Sequence, residues 1–340
     1  MRQLTCTGGP SLEWRDVDEP RLQGGGEALV RPLAVARCEI DPFLIAGAST
    51  EQPPFALGHE AVAEIVELGD AVSGLTVGQR VVVSFQLSCG SCGSCGAGHS
   101  ANCDKYPVLS DYGMQPLSGV EYGGMLSDLL HVPHAEAMLC PVPDGIASAD
   151  LASVSDNVLD GYRTVARHLK ATPGADVLFA CHGTPSLALY GVQAAQVLGA
   201  GKISFASDTR DVLDLAEKLG ALPIETDFTK RAAKFPIVVD CGVDGARLPY
   251  ALASTQPEGV CQSVSFYGAP TTPVPLGKLY TLGIQFFVGR AHAVSLLPEV
   301  MNHIAEGRIQ PGKVTTRTVG WEDAAEAFLE PSIKLVVERR

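Results

Sequence analysis

Long apolar runs are missing from this chain, and none approaches the roughly 18 uninterrupted residues that a membrane-spanning helix needs. Positive charge is scarce as well. Lys and Arg number 25 against 38 Asp and Glu among 340 residues, a formal net charge of −13, and no basic run is present. A nucleic-acid backbone therefore finds no electrostatic footprint. Charged residues reach only 19% and aromatics 6%, while hydrophobic residues make up 46%, which excludes a disordered or low-complexity chain. The opening MRQLTCTGGPSLEWRD lacks the apolar centre of a secretion signal, so the expected location is cytoplasmic, in a reducing compartment. The expected partners are small molecules, not nucleic acid or membrane. The length suits two domains, each able to bury its own core.

Cysteine, by contrast, is abundant, with ten in all. In a reducing compartment that points to metal or catalytic roles before disulfides. Cys89, Cys92, Cys95 and Cys103 crowd into the run SCGSCGSCGAGHSANC, with glycines between them that let the backbone fold around one centre. Four thiolates can close the tetrahedral shell of a structural zinc. An iron–sulfur cluster also suits repeated C-x2-C, but no Pro follows the last cysteine and the loop lies in a β-type region, which favours zinc. Such a closed site has no position for substrate, so chemistry belongs elsewhere.

Of the other six, Cys6, Cys140, Cys181, Cys241 and Cys261 adjoin apolar runs and read as packing residues. Cys38 differs. It opens the turn Cys38-Glu39-Ile40-Asp41, and Gly58-His59-Glu60 follows about twenty residues later. A thiolate, an imidazole and nearby carboxylates can form a catalytic zinc site with an open position, although a His after Gly is more often a turn or core residue.

Residues 25–85 show short β-type runs separated by Gly/Pro turns, which suggests an antiparallel barrel-like domain. From about 158 to 285, helices such as LDGYRTVARHL and SLALYGVQAAQVLG alternate with the short apolar strands DVLFAC, KISFAS and IVVDC. That alternation predicts a doubly wound parallel sheet.

With these motifs in one order, from LEWRDV through Cys38-x-x-Asp41, Gly58-His59-Glu60, the four-Cys lobe, SDNVLDGYRTV and VQAAQVLGAGKISFAS to SIKLVV, the chain resembles the zinc-containing medium-chain dehydrogenase/reductase superfamily, the zinc alcohol dehydrogenase group. The resemblance implies an α/β protein: a GroES-like β-rich catalytic domain over 1–152 and 287–340, with a zinc lobe at about 86–106, and a Rossmann domain over 153–286. It implies two zinc ions per chain, NADP or NAD as cofactor, an alcohol or carbonyl substrate, and a homodimer or homotetramer.

By the same resemblance Cys38 and His59 are ligands of the catalytic zinc, Asp41 orients His59, and Glu60 lies beside the metal as a transient ligand. Where many relatives place a third cysteine, this chain has Asp156, resembling members that use a carboxylate there. A helix N-cap is the plainer role for Asp156. Phe43 and Phe85 are candidate pocket walls, or simply core.

The chain departs from the family pattern in three places. The expected G-x-G-x-x-G is read as Gly183-Thr184-Pro185-Ser186-Leu187-Ala188, in which only the first glycine survives. Glu39 stands where relatives often place a small or basic residue facing the pyrophosphate, and Lys334 matches a basic position that contacts it. Ile40 and Phe43 replace the hydroxyl and imidazole of the usual proton relay. At the ribose end, Ser207 is followed by Asp208-Thr209-Arg210; a neutral residue with Arg210 nearby favours NADP, while Asp208 suits NAD. The leading expectation is a zinc-dependent alcohol dehydrogenase or carbonyl reductase. The altered loop keeps open a zinc lyase or hydrolase on the same scaffold, and a non-catalytic binding protein.

Overall fold

Val- and Ala-rich runs cut by Gly and Pro do form strands in the computed structural model, which describes residues 1–48, 52–231, 233–267, 269 and 271–339. These residues divide into two compact units: 1–159, 291–305 and 310–340 form one, and 160–290 with 306–309 the other.

In the first unit the described strands make a three-stranded sheet of Ser11–Asp16, Arg2–Gly8 and Phe55–Ala56 and a seven-stranded sheet. The order of the larger is Arg317–Gly320, Leu335–Glu338, Ala28–Ala36, Glu60–Leu68, Arg80–Val83, Leu139–Pro141, and Leu130–Val132 also pairs with Ala28–Ala36. All pairings are antiparallel except that of Arg317–Gly320 with Leu335–Glu338. The register sets the site. Ala36 lies opposite both Glu60 and Val336, so Cys38, His59 and Lys334, each just beyond a strand end, gather at one end of three adjacent strands. Gly58 makes the turn into His59 at φ 88°, and a Cβ there would meet Leu126 N at 3.0 Å, so a side chain would be both strained and crowded. Arg37 ties down the returning segment: its guanidinium donates to the carbonyls of Phe328, Glu330 and Ser332 and to Ser332 Oγ.

In the second unit six described strands run parallel, in the order Leu222–Glu225, Ile203–Ser207, Val177–Cys181, Phe235–Cys241, Thr255–Ser263, Gln285–Val288. The order reverses between Val177–Cys181 and Phe235–Cys241, which is the doubly wound arrangement the alternation implied. Helices Leu159–Ala171 and Pro185–Val197 meet backbone to backbone: a Cβ on Gly161 would fall 2.8 Å from Gly191 N and from Leu187 O. On its other side Gly191 admits the Phe179 ring, which would sit 2.4 Å from an added Cβ. No helix among the described residues is long and apolar enough to cross a membrane.

Candidate active site

Cys38 follows the buried strand Ala28–Ala36, and the helix Ile40–Gly47 begins directly after it. Asp41, in the first turn of that helix, accepts the Cys38 backbone N–H through Oδ2 at 2.9 Å. Its Oδ1 faces His59 Nδ1 at 3.3 Å, with both side chains fully buried. On the far side of the ring, His59 Nε2 lies 3.5 Å from Asp156 Oδ2. Cys38, His59, Glu60 and Asp156 each offer a donor atom within 4.8 Å of the other three. His59 Nε2 nevertheless has no aligned hydrogen-bond partner among the described residues. Burying such a group without a partner is costly. A soft sulfur, an imidazole nitrogen and a carboxylate converging on one small volume fit a zinc ion with three protein ligands.

Burial opposes a proton on His59, yet the carboxylates of Asp41 and Asp156 hold its pKa well above the usual value. Burial, reinforced by Asp156, lifts the Cys38 thiol. For Asp156 burial works the other way from the outcome: His59 and Lys334 hold it below the ordinary carboxylate range. Desolvation pushes Glu60 up to about 8, against the Lys334 ammonium. Phe85 is buried, with its ring centroid 6.1 Å from that of His59, and so forms part of this wall. Phe43 is exposed on the helix after Cys38.

Asp156 does not sit in an ordinary helical turn. Residues Val154–Val158 form a π-helical turn in which Val158 N–H reaches Ser153 O at 3.1 Å. This wider turn, a feature frequent at functional sites, brings two consecutive side chains to the cluster: Asp156, and also Asn157, whose Nδ2 lies 3.4 Å from Cys38 Sγ. Lys334 adjoins the same cluster. It is fully buried, its Nζ pairs as an ion with Glu60 Oε2 at 2.7 Å, and it donates to Arg37 O at 3.0 Å and to Asn157 Oδ1. These three partners lie in the first unit.

Cys89, Cys92, Cys95 and Cys103 form the second convergent set, again with sulfurs within 4.8 Å of one another. The Cys92–Cys103 separation is 3.9 Å, close to the edge of about 3.8 Å of a tetrahedron with Zn–S arms of about 2.3 Å. Backbone N–H groups point at the sulfurs: Cys92 N at Cys89, Cys95 N and Asp104 N at Cys92, and Cys89 N at Cys103. Although burial acts upward, the N–H of Ser91 and the other donors bring the Cys89 thiol down to about 6. The four sulfurs are spaced to surround one ion, while burial raises the Cys95 and Cys103 thiols. In a four-iron cluster each cysteine would bind a different iron, which needs wider spacing.

In the second unit, the strand-to-helix turn runs from Cys181, the last strand residue, through His182, Gly183 and Thr184 to Pro185, the first helical one. Gly183 thus occupies the middle of the turn. A Cβ on it would lie 2.9 Å from Val243 N, which explains why glycine persists there. Ser186, Leu187 and Ala188 are buried in the first helical turn. Ser207 ends its strand and accepts the Thr209 N–H, while Arg210 turns outward to Asp214 at 2.8 Å. Sequence reasoning did not single out Arg247, which bonds Asp208 Oδ2 at 2.6 Å and lies over the Phe228 ring, 4.8 Å from its centroid. Local spacing carries no signal for it, because Arg247 comes from a different loop. Asn157 was missed too, and its adjacency to Asp156 was the available clue.

A buried thiolate–imidazole–carboxylate cluster at the end of a β-rich unit, with a doubly wound unit in the same chain, defines the class as a two-domain dehydrogenase fold. Residues 24–144 match the family model of the alcohol dehydrogenase GroES-like domain. A Mycobacterium tuberculosis protein named a probable zinc-binding alcohol dehydrogenase is 26% identical over 338 residues, covering 96% of this chain and 84% of that one. A Mycoplasma pneumoniae protein named a probable NADP-dependent isopropanol dehydrogenase is 28% identical over 342 residues, covering 92% and 91%. Among solved structures, the alcohol dehydrogenase TADH from Thermus sp. ATN1 superposes with a TM-score of 0.90 at 26% identity, over the whole of both chains. These likenesses support the zinc-containing medium-chain dehydrogenase/reductase superfamily and an oxidoreductase of the alcohol dehydrogenase type.

Proposed function

We propose that this protein is a zinc-dependent alcohol dehydrogenase or carbonyl reductase that exchanges a hydride between an alcohol and its aldehyde or ketone, with NADP as the favoured nicotinamide cofactor. The observation that carries the reading is the buried convergence of Cys38, His59 and Asp156. When bound, zinc supplies Lewis acidity toward the substrate oxygen and the nicotinamide accepts or gives the hydride.

The chain's own residues have distinct roles in this reading. Cys38, His59 and Asp156 hold the catalytic zinc, and Asp41 fixes the His59 ring and its tautomer. Asp156 in place of a soft thiolate leaves the metal harder and more electrophilic. Phe85 keeps water from one side of His59. With Ile40 and Phe43 in the relay positions, a proton leaves through water, through Glu60 or through a cofactor ribose hydroxyl. The four-cysteine lobe holds a second, structural zinc, which makes two per chain. The first unit is the catalytic domain and the second the nucleotide-binding one. Arg247, anchored by Asp208 and Phe228, offers the cation that a ribose 2′-phosphate needs, and the N-terminus of helix Pro185–Val197 offers backbone N–H groups to a pyrophosphate.

The test is direct. Purified protein should contain two zinc ions, bind NADPH more tightly than NADH by calorimetry, and oxidise simple alcohols with one of the two oxidised cofactors. Binding of neither nucleotide would overturn the reading. The lone Gly183 in the turn is the observation that favours the second one, a zinc lyase or hydrolase. Substrate conversion in the absence of nicotinamide would select it.

A further inference from the structure

Three groups of opposite hydrogen-bonding character line up behind Cys38. Lys334 is an ammonium with donors only, a zinc-bound Cys38 sulfur is an acceptor only, and the Asn157 amide between them has one end of each kind. That order removes the usual ambiguity of an amide side chain. The carbonyl Oδ1 must face Lys334 Nζ, which leaves Nδ2 directed at Cys38 Sγ, 3.4 Å away. Lys334 cannot swing aside, since Glu60 Oε2 lies 2.7 Å away as its counterion, Arg37 O accepts from its Nζ and the side chain is fully buried. The π-helical turn fixes the other end, presenting Asp156 and Asn157 to the same cluster.

Resting on the proposed zinc site, we infer that Asn157 is a positioning residue that donates a hydrogen bond from Nδ2 to Cys38 Sγ, with Lys334 setting its orientation. The bond draws electron density from the single sulfur ligand. It therefore shifts the metal toward greater electrophilicity, in the same direction as the Asp156 carboxylate. The buried cation of Lys334 gains a purpose by the same route, because its charge is relayed to the sulfur through a neutral amide.

Cobalt(II)-substituted protein tests this, because the thiolate-to-cobalt charge-transfer band reports how tightly the sulfur holds its electrons. Asn157→Asp keeps an acceptor for Lys334 and removes the donor, and Asn157→Ala removes both ends. At equal cobalt content the four-cysteine centre contributes identically to each spectrum, so differences arise at Cys38. Both variants should shift the band to longer wavelength by several nanometres. An unchanged band in both overturns the inference. A shift in Asn157→Asp alone also overturns it, since added negative charge and not a lost donor would be the cause. Loss of cobalt from the Cys38 centre in both variants would make Asn157 a residue that builds the site, and again overturn it. The spectra need no nicotinamide, so absence of nucleotide binding would sink the dehydrogenase reading and leave this result standing.

Discussion

Lys334 Nζ lies 2.7 Å from Glu60 Oε2, and both side chains are fully buried. A lysine in the segment SIKLVV thereby closes the site from behind. In the proposed function the charge of a dinucleotide pyrophosphate would be met by backbone N–H groups at the start of helix Pro185–Val197.

The contact between Asp41 and His59 sets the first prediction. Asp41→Asn keeps an oxygen for the Cys38 N–H and removes the carboxylate facing His59 Nδ1. Affinity for the zinc at Cys38 should fall by about 10–100-fold, as for other groups that orient a metal-bound histidine. Chelator competition measures it, and the zinc of the four-cysteine lobe should be unaffected.

Zinc uptake should release protons. In the metal-free site burial and the neighbouring carboxylates raise the Cys38 thiol and the His59 imidazole, so both bind protons at neutral pH. Zinc takes their deprotonated forms. Below a raised pKa the proton competes with the metal, and as pH rises toward it the competition fades. Apparent zinc affinity should therefore climb between about pH 6 and about pH 8, and titrations in buffers of different ionisation enthalpy should give different heats. A flat profile would contradict the protonation states stated here.

These two predictions rest on residues that were visible in the chain. Cys38, His59, Glu60 and Asp156 could be picked out because few residue types bind zinc and their neighbours form a distinctive order. The alternation of helix and buried strand was equally legible for the parallel sheet. The partners of Lys334 were not, since Asn157 is separated from it by 177 positions and only strand register brings them together.

Arg247 should decide cofactor preference. Removing it as Arg247→Ala ought to weaken NADP binding roughly tenfold, a modest figure because the pair with Asp208 is part-exposed, and to change NAD binding much less. Calorimetry with 2′,5′-ADP against 5′-AMP isolates the ribose phosphate. Equal losses for both ligands would place Arg247 elsewhere.

The Gly161–Gly191 crossing carries a stability prediction. Gly161→Ala puts a methyl group 2.8 Å from Gly191 N and Leu187 O, which are backbone atoms with little freedom to move. The helices would have to part, at a cost of about 1–3 kcal/mol. Urea denaturation should show a lower midpoint, with zinc content preserved in the folded protein.

The pairing of Leu335–Glu338 with Ala28–Ala36 also governs the order of assembly during synthesis. Lys334 emerges from the ribosome 297 positions after Arg37, whose carbonyl it will engage. Until then the strand leading to Cys38 lacks the neighbour that covers it on that side, and Glu60 lacks its counterion. A nascent chain can expose all the proposed zinc ligands and still have no finished centre, so metal loading at Cys38 becomes a late event in the life of the molecule.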